Sequence, residues 1–319
     1  MKLFNEPQIL AATYNPVSNT RMISFLVDFP TVLLAELRTH RILTQGSLYE
    51  HFELLDFNLS ANSARAIPHN KYLEKVLQNP FVPIWTKQQR GMSGGRHENQ
   101  NTLTTIWIEA LEVIKKQYEQ LVSNDAHKQN ANRLLAPFAY TTCIISGTEW
   151  DNFWNLRISE NAQPEFKEIA SMLKTLYDNA NWKVAKYHIP FEEIIDKLYL
   201  EQIRSYVSTT STTKDIEPEI TEIKMRISAS MCAKLSYNTQ YKEDSLEKHL
   251  ERSNMLISHK HWEPFSHQAI AMNKEEYETM FIQRIVQKNG KREIVKELGV
   301  AYNLRGFISQ RYIIENLMN

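Results

Sequence analysis

Glycine is scarce in this chain, with eight in 319 residues, about a third of the usual share of roughly 7%. They stand at Gly46, Gly91, Gly94, Gly95, Gly147, Gly290, Gly299 and Gly306. No spacing among them gives G-x-G-x-x-G or G-x-x-x-x-G-K-[ST], which excludes the Rossmann fingerprint and the P-loop. A nucleotide held here must be gripped by side chains and helix ends. Cysteine is rarer still. Cys143 and Cys232 are too few for a disulfide framework or a four-cysteine metal site. Cys143 lies in the apolar stretch 140–145 and reads as a packed residue. No run approaches the roughly 18 apolar residues of a membrane span, and residues 1–10 carry one lysine and no apolar core, unlike a secretory signal. There is no excess of either charge: 37 Lys and Arg balance 37 Asp and Glu. A broad nucleic-acid tract or a basic membrane surface is therefore not expected. The apolar share of 42% and charged share of 23% are those of a soluble globular protein, and a cytoplasmic location is expected. No Gly-x-Ser-x-Gly elbow is present, and neither cysteine neighbours a histidine in sequence, so no covalent nucleophile is expected.

What is present is mostly helix. Met22 to Phe29 reads as a strand, and Pro30 opens a helix, since proline suits the first helical turn. Residues 45–58 read as a loop or short insert, 58–68 as a polar loop, and 80–101 as irregular. In 104–121, Trp107, Ala110, Leu111, Ile114, Tyr118 and Leu121 recur at helical spacing. A helical stretch from His127 runs until Pro137. Residues 138–146 are rich in aromatic and β-branched types and read as a strand that Gly147 ends. Thr148, with Asp151 three residues on, reads as the cap of an aromatic helix carrying Trp150, Phe153 and Trp154. Helices follow over 163–180, 222–233 and 245–259. The polar run STTSTTKD suggests an internal linker near 208–218. Residues 268–272 read as a short strand, and Asn273 as the cap of a last long helix ending near Gly290. No internal repeat is visible. The class is α+β, expected as a single domain over 1–319 with helices packed on a mixed or antiparallel sheet.

Four constellations could carry chemistry. In ELRTHR, Arg38 and Arg41 share a helical face. Two such cations repel by roughly a few tenths of a kcal/mol, and a phosphate between them reverses the sign; a solvated basic face is the plain alternative. Ser60, Asn62, Ser63 and Arg65 could cradle a phosphate or form an ordinary polar loop. Arg157 lies in the aromatic helix and, if buried, needs a partner. That partner is either an internal carboxylate, with Glu149, Asp151 and Glu160 nearby, or a ligand oxygen. His259, His261 and His267 in HKHWEPFSH invite zinc, but Glu263 is the one acidic residue among them. No metal is expected; a histidine against a ring or a phosphate fits better.

Together these segments resemble the flavin-dependent thymidylate synthases, especially the phage branch. ELRTHR followed by SANSARA resembles that family's R-H-R-x-x-S-x-N-E-x-S-x-R signature. HKQNANRLLAPF, TEWDNFWNLR and NAQPEF resemble the nucleotide and flavin segments of the phage branch. AKLSYN and HWEPFSH resemble the motifs A-R-V-S-[FY] and H-x-x-P-F-x-H. At 233–238 and 261–267 the last two follow the signature, whereas in the common bacterial enzymes they precede it.

The resemblance implies an FAD enzyme that methylates dUMP to dTMP, with methylenetetrahydrofolate as carbon donor and NADPH as reductant. It implies a homotetramer with sites shared between subunits. It places Arg157 at the reacting uracil as the catalytic residue, and Ser63, Arg65, Arg133 and Arg38 around dUMP. His40, Arg41, Asn152, Ser236 and His261 would meet the flavin nucleotide, with His267 beside it. The signature is altered in places. Thr39 replaces the first arginine of R-H-R, and about a dozen residues near 45–56 interrupt it. Ala61 and Asn62 replace Asn-Glu, Asn161 stands for a histidine before Ala-Gln, and Ser266 for a glutamate. Two alternatives follow from these changes. One is a hydroxymethyl- or methyltransferase acting on dUMP or dCMP; the other is a non-catalytic relative that binds flavin or nucleotide.

Overall fold

The computed structural model describes residues 6–38, 57–61, 67–90, 94–235, 244–288 and 291–317, with side chains for all of these but 284–288 and 291–292. The architecture is α+β. Its centre is a five-stranded sheet of order β3-β4-β2-β1-β5. The strands are β1 (Gln8–Asn15), β2 (Thr20–Pro30), β3 (Phe57–Ala61), β4 (Tyr140–Gly147) and β5 (Lys183–Val184). All neighbours are antiparallel except β1 and β5.

Both central strands are buried on both faces, and their alternation sorts two kinds of residue. On one face Ile23, Phe25, Val27 and Phe29 of β2 join Cys143 and Ile145 of β4. They pack against α5 (Asp151–Arg157) and α6 (Pro164–Asp178). Trp150 stacks on Phe57 and Trp154, with ring centroids 5.5 and 5.2 Å apart, and Phe153 meets Phe166 at 5.9 Å. On the other face Leu26 and Ile144 meet α7 (Glu192–Thr210) and α8 (Glu217–Lys234). Polar Ser24, Asp28, Thr142 and Ser146 share that face by period-2 alternation and are all buried. Thr142 donates to Asp28 Oδ1 at 2.6 Å.

A second sheet supplies their remaining partners. It has the order β12-β7-β6, from β6 (Tyr187–His188), β7 (Ala269–Ala271) and β12 (Phe307–Ser309). A separate core joins α2 (His69–Gln78), α3 (Gln100–Ser123) and the helical stretch from α4 (Lys128–Ala131) through the 3-10 segment Asn132–Phe138. Asn132 is wholly buried there, accepting from Tyr118 at 2.8 Å and donating to the Ile67 carbonyl at 3.1 Å.

Several expectations change. Pro30 ends β2 and precedes a 3-10 turn, Thr31–Leu33, and the four-residue α1 (Leu34–Leu37). Residues 57–61 are a strand, because pairing with β4 satisfies their backbone and Ser60 finds a buried partner. Thr148 does not cap α5; its hydroxyl accepts the Arg305 N–H at 2.9 Å, and Trp150 is the N-cap. STTSTTKD starts within α7, and residues 211–216 join α7 to α8, which share one core. Asn273 does cap a helix, with a reciprocal Glu276 bond, but α10 (Lys274–Thr279) has six residues. The β-branched alternation after Met280 then forms a hairpin, β8 (Phe281–Lys288) with β9 (Lys291–Leu298). β10 (Val300–Ala301), β11 (Leu304–Arg305), β12 and α11 (Gln310–Leu317) follow. Gly306, at φ +68°, sits against Ser18 and Thr20, where a Cβ would collide. Glycine is thus spent where the backbone needs it.

Phe153 is fully buried in the aromatic face. Phe153→Ala is expected to cost about 3–5 kcal/mol of unfolding free energy, read from urea denaturation monitored by tryptophan fluorescence.

Candidate functional site

A pocket of about 650 Å³ opens beside the C-terminal end of β3, within the range of small-molecule sites. Its wall comes from Ser60 and Ala61 of β3, the C-terminal turn of α8, Asp244, α9 (Leu246–Ser258) and the turn 261–264. Residues 233–235 of AKLSYN and 261–264 of HWEPFSH therefore meet at it. Ser245 caps α9 by accepting from the Lys248 N–H, which sets Arg252 toward the wall. Asp244 meets Lys234 at 2.7 Å and Arg252 at 2.9 Å, and Arg252 also donates to Ser230 Oγ at 2.8 Å. Burial works against the Asp244 charge, but these two cations outweigh it and hold its carboxyl below the ordinary range.

Glu263 is exposed at this wall, with protein close enough to its carboxyl to exclude part of its solvent. That burial raises its carboxyl above the usual value, opposed by a hydrogen bond with Ser60 and by the charges of Arg38 and Arg311. Trp262 and Met255 add apolar surface, and His261 is exposed at the rim.

Behind the pocket runs a buried hydrogen-bonded chain. Ser60 Oγ meets His267 Nε2 at 2.7 Å, and His267 Nδ1 meets Ser146 Oγ at 2.8 Å. Ser146 contacts Ser24, which meets His188 Nε2 at 2.8 Å, and His188 Nδ1 reaches Thr13 at 2.9 Å. Burial lowers both histidines to about 3, and for His188 the neighbouring His267 adds to this. Both imidazoles are therefore neutral. His267, expected beside the flavin, is fully enclosed with both nitrogens engaged and reaches the pocket through Ser60.

Arg157 lies elsewhere. Its Nη1 meets Glu36 Oε2 at 3.1 Å, its Nη2 donates to the Glu36 carbonyl at 3.3 Å, and its guanidinium covers the Phe166 ring at 4.3 Å. Glu36 of α1 is thus an internal carboxylate partner. Glu149 pairs with Arg305 at 2.6 Å instead, because Arg305 of β11 lies beside it. Arg38, two residues after Glu36, is the C-cap of the same short helix, exposed and without an ion pair among the described residues. Arg133 is exposed beside buried Asn132, and Asn152 is exposed on α5. Neither Arg157 nor Arg133 lines the pocket. His40, Arg41, Ser63, Arg65 and Ser236 lie outside the described residues.

Sequence reasoning named Ser60 among the phosphate candidates but missed Lys234, Asp244, Arg252 and Glu263 as a group. The one available signal was Glu263, the single acid inside HWEPFSH. Among the described residues no cluster of three His, Cys, Asp or Glu could hold a metal. Both cysteines are buried with thiols pushed up, chiefly by burial, which makes them poor nucleophiles.

This is an α+β protein whose pocket is walled by side chains, with no glycine loop. Residues 9–180 match the family described as thymidylate synthase complementing protein, and the chain belongs to that family. The match contains Arg38, Arg133, Asn152 and Arg157; the pocket walls from α8, α9 and 261–264 lie beyond it. Two solved structures of the UMP/dUMP methylase PolB from Streptomyces cacaoi, bound with 5-Br UMP and 5-Br dUMP, are similar at 16% identity and a TM-score of 0.38. They cover 51% and 49% of this chain and 70% and 65% of their own, too partial an overlap to carry a site across. No curated protein matches the chain.

The buried histidines give a pH prediction. Each stays neutral when folded down to about 3 and charges near 6.5 when unfolded. The unfolded chain then binds more protons, so their contribution is complete above about 6.5 and is lost progressively as pH falls toward about 3. Two such groups add a slope of up to about 2.7 kcal/mol per pH unit. Urea midpoints measured from neutral to acid pH are expected to fall less steeply in His188→Gln than in the wild type.

Proposed function

We propose that this protein is a flavin-dependent thymidylate synthase, converting dUMP to dTMP with methylenetetrahydrofolate as carbon donor and NADPH as reductant. The observation that supports it most is Arg157, locked between Glu36 and Phe166 within the family-matched segment. Uracil carbon 5 is a poor nucleophile, and negative charge grows on the ring carbonyls as it attacks the methylene carbon. A guanidinium already fixed in place stabilises that charge without reorganising. The hydrogen on carbon 5 leaves as a proton, so the transfer needs no covalent enzyme nucleophile. This agrees with two buried, inert cysteines.

Bound FAD, once reduced by NADPH, would supply the hydride that turns the transferred methylene into methyl. The pocket fits such a group: Trp262 and the apolar wall suit a ring, and the surrounding cations suit phosphates. His261 on the rim, with Ser236, His40, Arg41 and Asn152, would hold the flavin nucleotide. Arg38, Arg133, Ser63 and Arg65 would hold dUMP. Arg157 does not line the pocket of its own chain, so a homotetramer with shared sites would complete the machinery. We read residues 1–319 as one domain, acting in the cytoplasm.

The purified protein is expected to be yellow, with a flavin spectrum that dUMP perturbs. A colourless protein that takes up no FAD would sink the reading. Mass spectrometry of the product separates a methyl gain from a hydroxymethyl gain. Arg157→Ala is expected to lower dUMP conversion more than about tenfold, or roughly 1.4 kcal/mol, with the protein still folded; activity retained within that factor refutes the assignment.

A further inference from the structure

We propose that Ser60 is a fixed hydrogen-bond donor of the pocket, its hydroxyl proton aimed into the cavity at an acceptor oxygen of the bound molecule. The proposal rests on reading the pocket as the flavin-nucleotide site.

Ser60 stands where the cavity meets the buried chain. It lines the pocket, it is 5% exposed, and the chain Thr13–His188–Ser24–Ser146–His267–Ser60 ends on it. His188 and His267 are wholly buried, with a hydroxyl at each ring nitrogen. With hydroxyls rather than carboxylates at those nitrogens, an imidazolium would be a buried charge without a counter-ion. Each ring therefore carries one N–H and one lone pair, and each of the four hydroxyls carries one proton. Six protons thus serve five hydrogen bonds, and one is left over.

The spare proton cannot belong to a histidine, because both nitrogens of each ring are already in the chain. It belongs to Thr13, Ser24, Ser146 or Ser60. Thr13 is 4% exposed and Ser24 and Ser146 are fully enclosed, and none of these three hydroxyls meets a further acceptor among the described residues. A spare proton on any of them would be a stranded buried donor, which forfeits its full desolvation cost. At Ser60 it faces the cavity instead. One proton order then remains. Thr13 donates to His188 Nδ1, His188 Nε2–H to Ser24, Ser24 to Ser146, Ser146 to His267 Nδ1, and His267 Nε2–H to Ser60. Ser60 receives from behind and donates forward. Pairing of β3 with β4, Ser60 opposite Ile144, holds its backbone in place. Glu263 in the same wall is one acceptor for the proton; being exposed, it can turn to solvent and leave Ser60 to a ligand oxygen. A ring carbonyl or a phosphate oxygen meets this requirement, and a ring N–H does not. The five residues behind Ser60 are positioning residues that act through its hydroxyl.

Two measurements at neutral pH test this. The first is nitrogen NMR of the wild type labelled selectively in histidine, with the His267 signals assigned by their loss in His267→Gln. A spare proton at Ser60 gives His267 the Nε2–H form; a spare proton at Thr13, Ser24 or Ser146 gives it the Nδ1–H form. The second is calorimetric binding of FAD, riboflavin and inorganic pyrophosphate to the wild type, Ser60→Ala and Ser60→Thr. Ser60→Ala is expected to bind FAD about two- to tenfold more weakly, the range of one net hydrogen bond. Ser60→Thr keeps the hydroxyl and is expected to bind as the wild type does. A loss shared by riboflavin puts the acceptor on the ring, and a loss shared by pyrophosphate puts it on a phosphate. His267 in the Nδ1–H form overturns the proposal, whether or not any variant folds. An equal loss in Ser60→Thr and Ser60→Ala also overturns it. So does FAD affinity unchanged in Ser60→Ala, which leaves the flavin site standing. A wild type that binds none of the three probes removes both.

Discussion

The pairing of β2 with β4 is the constraint on which the rest depends. Eight consecutive residue pairs, Ile23 with Gly147 through Pro30 with Tyr140, put every second side chain of both strands on the same face. A shift of one residue would exchange the faces entirely. Phenylalanines and branched aliphatics would then meet the second sheet, and serines would meet the tryptophans of α5. The register is strongly specified because each face can be satisfied only by its own cover.

That sorting produces two functional regions from one sheet. The apolar face supports the aromatic cluster, and the cluster in turn supports Arg157 through Phe166. The polar face carries Ser24 and Ser146 toward His188 and His267, and so leads to Ser60 and the pocket. The residues proposed to act on uracil and those proposed to receive a phosphate-bearing ligand are thus held by opposite faces of the same strands. α1 serves the first region directly, since Glu36 holds Arg157.

Much of the fold was legible. β2 and β4 show as strand-like runs, α3 as a helical apolar stripe, and α9 as a helix with Leu246, Leu250 and Ile257 on one face. These signals work within one or two turns of chain, where neighbours in sequence are neighbours in space. The failures share a cause. Asn273 is a true cap, but a cap marks where a helix begins and says nothing of its length. Thr148 has a capping residue's chemistry, yet Arg305 from the far end of the chain takes its oxygen. The segment 57–61 has loop composition, and only an edge position beside β4 makes it a strand.

The candidate site divides in the same way. Sequence alone determined that no glycine loop, disulfide framework or cysteine cluster would serve, and which short motifs carry arginine, histidine and serine. It also established the α+β class through the alternation of helical and strand periodicities. Tertiary structure decided who meets whom. It brought Glu36, 121 residues away, to Arg157 and gave the nearer Glu149 to Arg305. It joined His267 to Ser60 across 207 residues, turning a possible ligand contact into a buried support. It also gathered Lys234, Asp244, Arg252 and Glu263 around one cavity. The reason is physical: periodicity and capping are short-range and read out locally, whereas a buried hydrogen bond or ion pair goes to whichever group the sheet register and helix packing bring within about 3 Å.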